Sequence, residues 1–280
     1  MIGSGIINVA AKSLLFVAAM SMASGVTNGQ QPDKTAATSG AVSAPADSLT
    51  LWYRQAANNW NEALPIGNGR LGAMVFGVVN REHLQMNDDT LWDGYPQDGA
   101  NPDSLKALPD VRRLLFEGKN KEAVDLAGRN MMGRPSGVRP YQSLGDLWLE
   151  WPEMAQITDY RRSLDLDTAI AAVTFKHNEV TYTREILSST PADCIIVRLT
   201  ADKPGSITFK ATVTRERDAQ SMSHPSDTQA ILQRGQINCK DGKGEQRGLK
   251  FAAVVKAVTR GGSVVNTNGI LAVAGADSVT

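Results

Sequence analysis

Short runs in which hydrophobic and polar positions alternate recur along most of this chain of 280 residues. The runs are rich in β-branched and aromatic residues, a pattern that predicts β-strands. They comprise LTLWYRQA, GAMVFGVV, LQMNDDTLW, LGDLWLEW, AAVTFKH, VTYTREIL, CIIVRLTA, SITFKATVTRE, QAILQRGQI, LKFAAVVKAVT and SVVNT. Turn signals such as HNE, DKPG and NTNG separate several of them, and few helices intervene. Antiparallel pairing in a sandwich or barrel is therefore expected, and a doubly wound sheet is not.

A different pattern interrupts the strands near residues 102–132. Apolar residues there recur every three or four positions, which is the spacing of amphipathic helices. Pro109 suits a helix start, Gly118 suits a helix stop, and Asn120 suits the N-cap of a second helix. The sequence therefore predicts a two-helix insertion in a sheet protein.

The segment EALPIGNGRLGAMVFG, residues 62–77, has the glycine spacing of a phosphate-binding loop. That loop works only where a strand leads into a helix, and here a strand pattern follows Gly72. Dinucleotide binding is therefore disfavoured. Pro65 and residues 67–69 are instead predicted to form a tight turn between strands, with Gly72 and Gly77 allowing close approach of backbones.

The N-terminal 48 residues do not share the strand pattern. Lys12 precedes the apolar run SLLFVAAMSMA, which has the length of a signal-peptide core and is too short to span a bilayer. Residues 1–25 are predicted to be a signal peptide and residues 26–48 a disordered linker rich in Ala, Ser, Thr and Pro. The mature protein is expected to be secreted or periplasmic, with a β-sandwich domain over residues 49–280 and no membrane association.

Charge and the sulfur and imidazole side chains narrow the function classes. The formal net charge is zero and basic residues do not cluster, so no nucleic-acid partner is expected. His83, His177 and His224 are scattered, so neither a metal site nor a cofactor is predicted. Cys194 and Cys239 are the two cysteines, and their spacing alone does not decide whether they form a disulfide.

Two tryptophans favour a carbohydrate site. Trp60 and Trp92 lie beside amides, carboxylates and turns, and sugars bind to aromatic faces flanked by hydrogen-bonding groups. Packing in the core is the alternative for either ring. Asp88 and Asp89 are adjacent, but neighbouring side chains of a strand point to opposite faces, so they are not expected to form one acid/base pair.

Three longer segments resemble one enzyme family. They are LWYRQAANNWNEALPIGNGRLGAMVFG, LQMNDDTLWDGYP and YQSLGDLWLEW. Together they are similar to the N-terminal β-domain of glycoside hydrolase family 95, which comprises secreted α-L-fucosidases and some related α-galactosidases. The resemblance covers about residues 49–280 and implies a large antiparallel β-sandwich, a supersandwich. Asp88 is a departure, because the family more often has Glu there.

The resemblance also implies a division of labour. Family enzymes continue from this domain into a helical linker, an (α/α)6 barrel and a smaller β-domain, and they hydrolyse fucosylated glycans with inversion. The catalytic residues belong to the barrel, so none is assigned in this chain. The chain alone is expected to be inactive, to pack on a barrel that it lacks, and to meet a fucosylated glycan or oligosaccharide only in the complete enzyme.

Five residues are predicted to contact substrate at the rim of such a site: Trp60, Asn68, Asn87, Asp88 and Trp92. The alternative is that these residues are buried at an interface or form turns, and do not contact substrate. A free-standing carbohydrate-binding or structural module is the alternative function. The final residues, SVT, begin a strand, so the chain is expected either to be a piece of a longer protein or to end in a short edge strand.

Overall fold

The structure is a computed structural model that describes residues 38–40, 42–137 and 139–280. The predicted signal peptide and the first part of the predicted linker lie outside these residues. The strands are β1 (Thr38–Ser39), β2 (Thr50–Tyr53), β3 (Leu64–Gly67), β4 (Leu71–Val75), β5 (Arg81–Asp88), β6 (Gly145–Glu150), β7 (Ile157–Asp165), β8 (Ile170–His177), β9 (Val180–Ser189), β10 (Cys194–Ala201), β11 (Ile207–Thr214), β12 (Ala219–Ser223), β13 (Ala230–Gln236), β14 (Lys250–Lys256), β15 (Thr259–Arg260), β16 (Ser263–Thr267), β17 (Ile270–Ala276) and β18 (Ser278–Val279). Two helices, α1 (Ser104–Phe116) and α2 (Asn120–Asn130), and a 3-10 helix at Trp60–Glu62 complete the elements.

The strands form three sheets. The first has the order β1-β7-β8-β9-β10-β18-β15, with β2 also paired to β7. The second has the order β16-β17-β11-β6-β5-β4-β3, and the third has the order β12-β13-β14. Apart from the parallel pair β1 and β7, the strand pairs among the described residues are antiparallel. The prediction of a mainly β, antiparallel fold is confirmed.

One hydrophobic core lies between the first two sheets. Every second residue of β8 is buried, and β5 shows the same alternation on the opposing sheet. Val173 and Ile186 from the first sheet and Val75 and Leu84 from the second are completely buried in one cluster. Burying such a side chain stabilises the fold by about 1.5–3 kcal/mol relative to leaving it exposed.

The predicted helical insertion is present between β5 and β6, but its first boundary was wrong. Pro109 lies inside α1, which begins five residues earlier, at Ser104. The side-chain oxygen of Asn101 accepts a hydrogen bond from the Asp103 backbone N–H at 3.0 Å, and this Asn turn leads the chain into the helix.

The other two predicted boundaries had different outcomes. Gly118 follows α1 with a φ of +74°, so the predicted helix stop is confirmed. Asn120 is the first residue of α2 and Lys119 holds the cap position, so the predicted Asn120 cap was wrong by one residue. The N-cap position here carries no side-chain hydrogen bond, which is why cap chemistry could not locate it.

The structure also differs from the prediction for the glycine-rich segment, residues 62–77. Pro65 lies within β3, at the end of the second sheet, where a missing N–H is tolerated. The turn between β3 and β4 comprises residues 68–70, and Gly69 has a φ of +94°. At Gly72 an added Cβ would lie 3.2 Å from the backbone oxygen of Ile66, so the predicted close approach of backbones is confirmed there. At Gly77 an added Cβ would lie 2.5 Å from Cδ of Arg162, so the close neighbour is a side chain and the predicted backbone approach was wrong.

Candidate functional site

The predicted site residues lie at one end of the second sheet. The turn between β3 and β4 lies beside the end of β5, because Leu71 pairs with Asp88 and Gly72 pairs with Asn87. Within β5 the side chains alternate, so Asn87 and Asp88 point to opposite faces. The five residues therefore divide into two groups and do not form one pocket.

Trp60 belongs to the outer group. Its 3-10 helix is capped by Asn59, whose side-chain oxygen accepts from the Asn61 N–H at 3.0 Å. The carboxylate of Glu62 accepts from the Asn58 N–H at 2.9 Å, and this backbone hydrogen bond lowers the pKa of Glu62. The indole of Trp60 is 53% exposed, and its Nε1 donates to Oε1 of Gln85 at 2.6 Å.

Gln85 and Asn87 extend this surface along β5. Residues two apart on a strand share a face and are separated by about 6.8 Å. The side chain of Gln85 fixes the indole ring, and the half-buried side chain of Asn87 lies further along the same face. An exposed aromatic ring with two amides at this spacing suits the apolar face and the hydroxyl groups of a sugar.

Asp88 belongs to the second group. Its Oδ1 accepts from the backbone N–H of Thr90 at 3.0 Å and from the hydroxyl of Thr90 at 2.6 Å, and its Oδ2 lies 3.3 Å from Arg70. Partial burial raises the pKa of Asp88, but the hydrogen bonds from Thr90 and the charge of Arg70 outweigh it, and the pKa is lowered overall. A carboxylate held ionised in this way is unsuited to serve as a general acid, which needs a raised pKa.

Asn68 has a local structural role in the turn. Its side-chain oxygen accepts from the backbone N–H groups of Arg70 and Leu71, at 3.0 and 2.8 Å, and its amide donates to the carbonyl of Ser189 at 3.0 Å. Both ends of the side chain are thus occupied by the fold. Arg70 also forms an ion pair with Asp193, which ties the turn to the start of β10.

Trp92 packs beside the same turn. Its ring meets Tyr141 edge to face, with 5.3 Å between ring centroids, and its Nε1 donates to the carbonyl of Asp89 at 2.9 Å. The hydroxyl of Tyr141 donates to the Asp88 carbonyl at 2.8 Å. Trp92 is 47% exposed, so part of its surface remains open to solvent.

The described residues contain no group of three or more metal-ligating side chains that could hold a metal ion. Among them, no helix is long and apolar enough to cross a membrane. Cys194 and Cys239 are free thiols, and Cys239 is buried. The two groups of predicted site residues provide aromatic rings, amides and one ionised carboxylate, which can bind and orient a polar ligand.

A buried ionic group was missed by the sequence analysis. Glu82 and Arg184 are 0% and 2% exposed and their side chains lie 3.0 Å apart. Arg184 also donates to the carbonyls of Val78 and Val79, and its guanidinium lies 3.8 Å from the ring centroid of Trp151. Desolvation lowers the pKa of Arg184, against the opposing charge of Glu82. Glu82 lies on the inward face of β5, two residues before Leu84. The alternation along this strand therefore indicated that Glu82 would be buried.

Comparison with known families fits this architecture. A family model described as "Glycosyl hydrolase family 65, N-terminal domain" matches residues 51–280. The chain belongs to this family of N-terminal domains. The match begins in β2 and covers the second and third sheets, the first sheet apart from β1, and the helical insertion.

The domain is similar to three curated fucosidases. It is 38% identical over 239 residues to "Alpha-L-fucosidase 2" of Arabidopsis thaliana, which corresponds to 79% of this chain and 28% of that protein. It is 32% and 33% identical to proteins named "Probable alpha-fucosidase A" of Aspergillus niger and Aspergillus oryzae, over 57% and 56% of this chain and 22% of each relative. The predicted resemblance to the fucosidase N-terminal β-domain is confirmed. The chain spans less than a third of the length of these relatives.

Proposed function

We propose that this chain is the N-terminal β-domain of a secreted, inverting glycoside hydrolase of the α-L-fucosidase type, and that it is inactive alone. The observation that carries the proposal is the similarity to fucosidases along 79% of the chain, which spans 28% of the plant relative. Catalysis belongs to a helical barrel outside these residues. The site supports this proposal, because hydrogen bonds from Thr90 and the charge of Arg70 lower the pKa of Asp88, whereas a general acid needs a raised pKa.

In the complete enzyme, the outer surface around Trp60 contributes to the rim that receives a fucosylated glycan. Support comes from the exposed indole and from Gln85 and Asn87 along the same face of β5. Asn68 is the weakest of the five candidates, because both ends of its side chain already bind backbone groups.

The helical insertion supplies a surface for packing on the barrel. Phe116 of α1 is 90% exposed, and Leu105 and Val124 are also exposed. Leu105, Phe116 and Pro109 line a shallow depression of about 720 Å³ on α1. Exposed apolar patches of this kind mark interfaces with other domains or chains.

One assay tests whether the chain alone is inactive. The purified chain is incubated with a 2-fucosylated oligosaccharide, and free fucose is measured. No release is expected from the chain alone, whereas the protein that includes the segment encoded downstream of Thr280 is expected to release fucose. Release by the chain alone would overturn the proposal. Tight glycan binding by the chain, combined with a stop codon after Thr280, would favour the free-standing binding module.

A matched pair of variants tests the rim in the complete enzyme. Trp60→Ala removes the stacking face and is expected to lower kcat/KM about 10-fold, which corresponds to about 1.4 kcal/mol. Trp60→Phe keeps an aromatic face and is expected to lose less. Equal losses for both variants would show that the bond to Gln85, and not stacking, is what matters.

A further inference from the structure

An apolar cleft opens between the sheets at the end that carries Arg70 and Asp88. Its volume is about 540 Å³, and its walls are formed chiefly by β10 and by the segment from Ala252 to Val258. Ile195 and Val197 on one wall, and Val255 on the other, are only partly buried although they pack against the core. An apolar cleft of this size in a folded domain calls for an occupant.

The strand β18 already lies between the two walls at one end of the cleft. Its residue Val279 pairs with Leu199 of β10 on one side and with Thr259 of β15 on the other, both antiparallel. Thr280 and Val258 exchange two backbone hydrogen bonds, of 2.7 and 2.9 Å. The walls are therefore one strand apart where β18 ends.

Both walls continue beyond β18 as unpaired edges. Residues 194–198 of β10 pair with β9, and among the described residues no strand covers their other edge. The strand β14 pairs with β13, and its other edge is likewise free in the part of the chain that the structure describes. Unpaired strand edges are sites where another strand adds by backbone hydrogen bonding.

We propose that the cleft is the seat of one further β-strand, which enters directly after Thr280, runs antiparallel to β10 and β14, and joins the first and third sheets. The observed register fixes its pairing: its first residue lies opposite Val197 and Ala257, and its third lies opposite Ile195 and Val255. This inference concerns the architecture of the domain and does not depend on the proposed substrate.

The register also fixes the chemistry of the added strand. Val279 is buried and Thr280 is exposed, so the first, third and fifth residues after Thr280 face the core. Those positions require apolar side chains, and the even positions tolerate polar ones. The added strand continues β18 directly, so its first hydrogen bonds follow the pair that Thr280 already forms with Val258. This continuity is the reason why the added strand is the proposed occupant of the cleft.

Backbone geometry identifies which amides the added strand would protect. Thr280 and Val258 form a hydrogen-bonded pair, and in antiparallel sheets such pairs alternate. The N–H groups of Ile195, Val197, Val254 and Lys256 are therefore the ones that point into the cleft. The N–H of Ala257 points the other way, to Gln229, as this alternation requires.

The test extends the 280-residue chain by six residues in two patterns. Val-Thr-Val-Thr-Val-Lys places valine at the inward positions, and Thr-Val-Thr-Val-Thr-Lys is the matched control with the pattern shifted by one. The inward pattern is expected to raise Tm by about 4 °C or more and to slow hydrogen exchange at the four cleft amides at least 10-fold. The shifted pattern is expected to do neither.

A thiol trap tests the register independently. The fourth residue after Thr280 lies opposite Cys194 in a non-hydrogen-bonded pair, where the Cα atoms are about 4.5 Å apart and a disulfide fits. Cysteine at that position of the inward extension is expected to crosslink to Cys194 on mild oxidation. Cysteine at the fifth position is the control and is expected to crosslink much less.

Each outcome bears on the proposal. Equal Tm values for both patterns, or equal crosslinking at both positions, would overturn it. If the parent chain is insoluble, the inward extension is expected to restore soluble monomer and the shifted one is not, and equal recovery would overturn it too. If the parent chain forms a stable dimer that the inward extension leaves unchanged, the cleft is an interface between copies and the proposal is wrong.

Discussion

The two ends of the sandwich solve the problem of burial in opposite ways. At the end near the loop between β4 and β5, Glu82 and Arg184 are buried as an ion pair between the two sheets. At the other end, the cleft walls are apolar and partly uncovered. A buried charge is tolerated only with its partners in place, whereas an apolar wall lacks only a cover. The first end is therefore fully packed among the described residues, and the second end is where we propose that a strand is added.

The strongest effect is expected where the ion pair is broken. Glu82→Gln leaves Arg184 charged and buried without a counter-ion, so the free energy of unfolding should fall by about 3–5 kcal/mol. Urea unfolding at neutral pH measures the change. Glu150→Gln is the matched control, because Glu150 forms a solvent-exposed pair with Arg81 at 3.0 Å and should cost no more than about 1 kcal/mol. Similar losses for both variants would show that the buried pair of Glu82 and Arg184 matters no more for stability than an exposed pair.

The apolar contrast between the ends is tested with isoleucine truncations on neighbouring strands. Ile186 of β9 is fully buried, and Ile186→Ala should cost about 2–5 kcal/mol. Ile195 of β10 borders the cleft and packs less completely, so Ile195→Ala should cost about 1 kcal/mol or less. In a chain extended by the inward strand, the cost of Ile195→Ala should rise towards that of Ile186→Ala. Equal costs in the unextended chain would show that the cleft is closed in solution.

The smallest effect is a pH dependence at the open end. The pKa of Asp88 is lowered in the folded state, so its contribution to stability is present above the unfolded-state pKa of about 3.9 and is lost as the pH falls through the folded-state pKa. Asp88→Asn should therefore flatten the acid side of the stability profile by up to about 1 kcal/mol, measured as unfolding free energy at pH 7 and pH 3.

A second variant separates the hydrogen bonds from the charge. Thr90→Ala removes the hydroxyl that donates to Asp88 at 2.6 Å, and the pKa of Asp88 should rise towards its ordinary value. Carboxyl titration by NMR reads this directly. An unchanged pKa in the variant would assign the shift to Arg70 and the backbone alone.

The parts that sequence reasoning recovered are those with local signals. Strands such as β8 and β11 alternate strongly, and Gly118 ends a helix by its own left-handed backbone. The strand β7 was missed because Arg162 and Ser163 occupy buried positions where the pattern expects apolar residues. The guanidinium of Arg162 is accommodated by the carbonyl of Glu62, 2.7 Å away, a partner 100 residues distant in sequence.

The candidate site shows the same limit. The sequence selected Trp60 and Asn87 for their chemistry, and the structure places them along one outward face of β5. The sequence could not show that the Asn68 side chain donates a hydrogen bond to the carbonyl of Ser189, because that contact joins different sheets. Nor could the sequence show that Arg70 forms an ion pair with Asp88 across the turn.

The sequence by itself determined the antiparallel strands, the helical insertion and membership of a glycosidase N-terminal family, because these depend on residue periods and on long local motifs. Only the tertiary structure decided which strand edges are paired, which charges are buried together and where the sandwich stays open. Those properties arise from contacts between residues far apart in the chain, and the energy of such contacts depends on partners that no local pattern names.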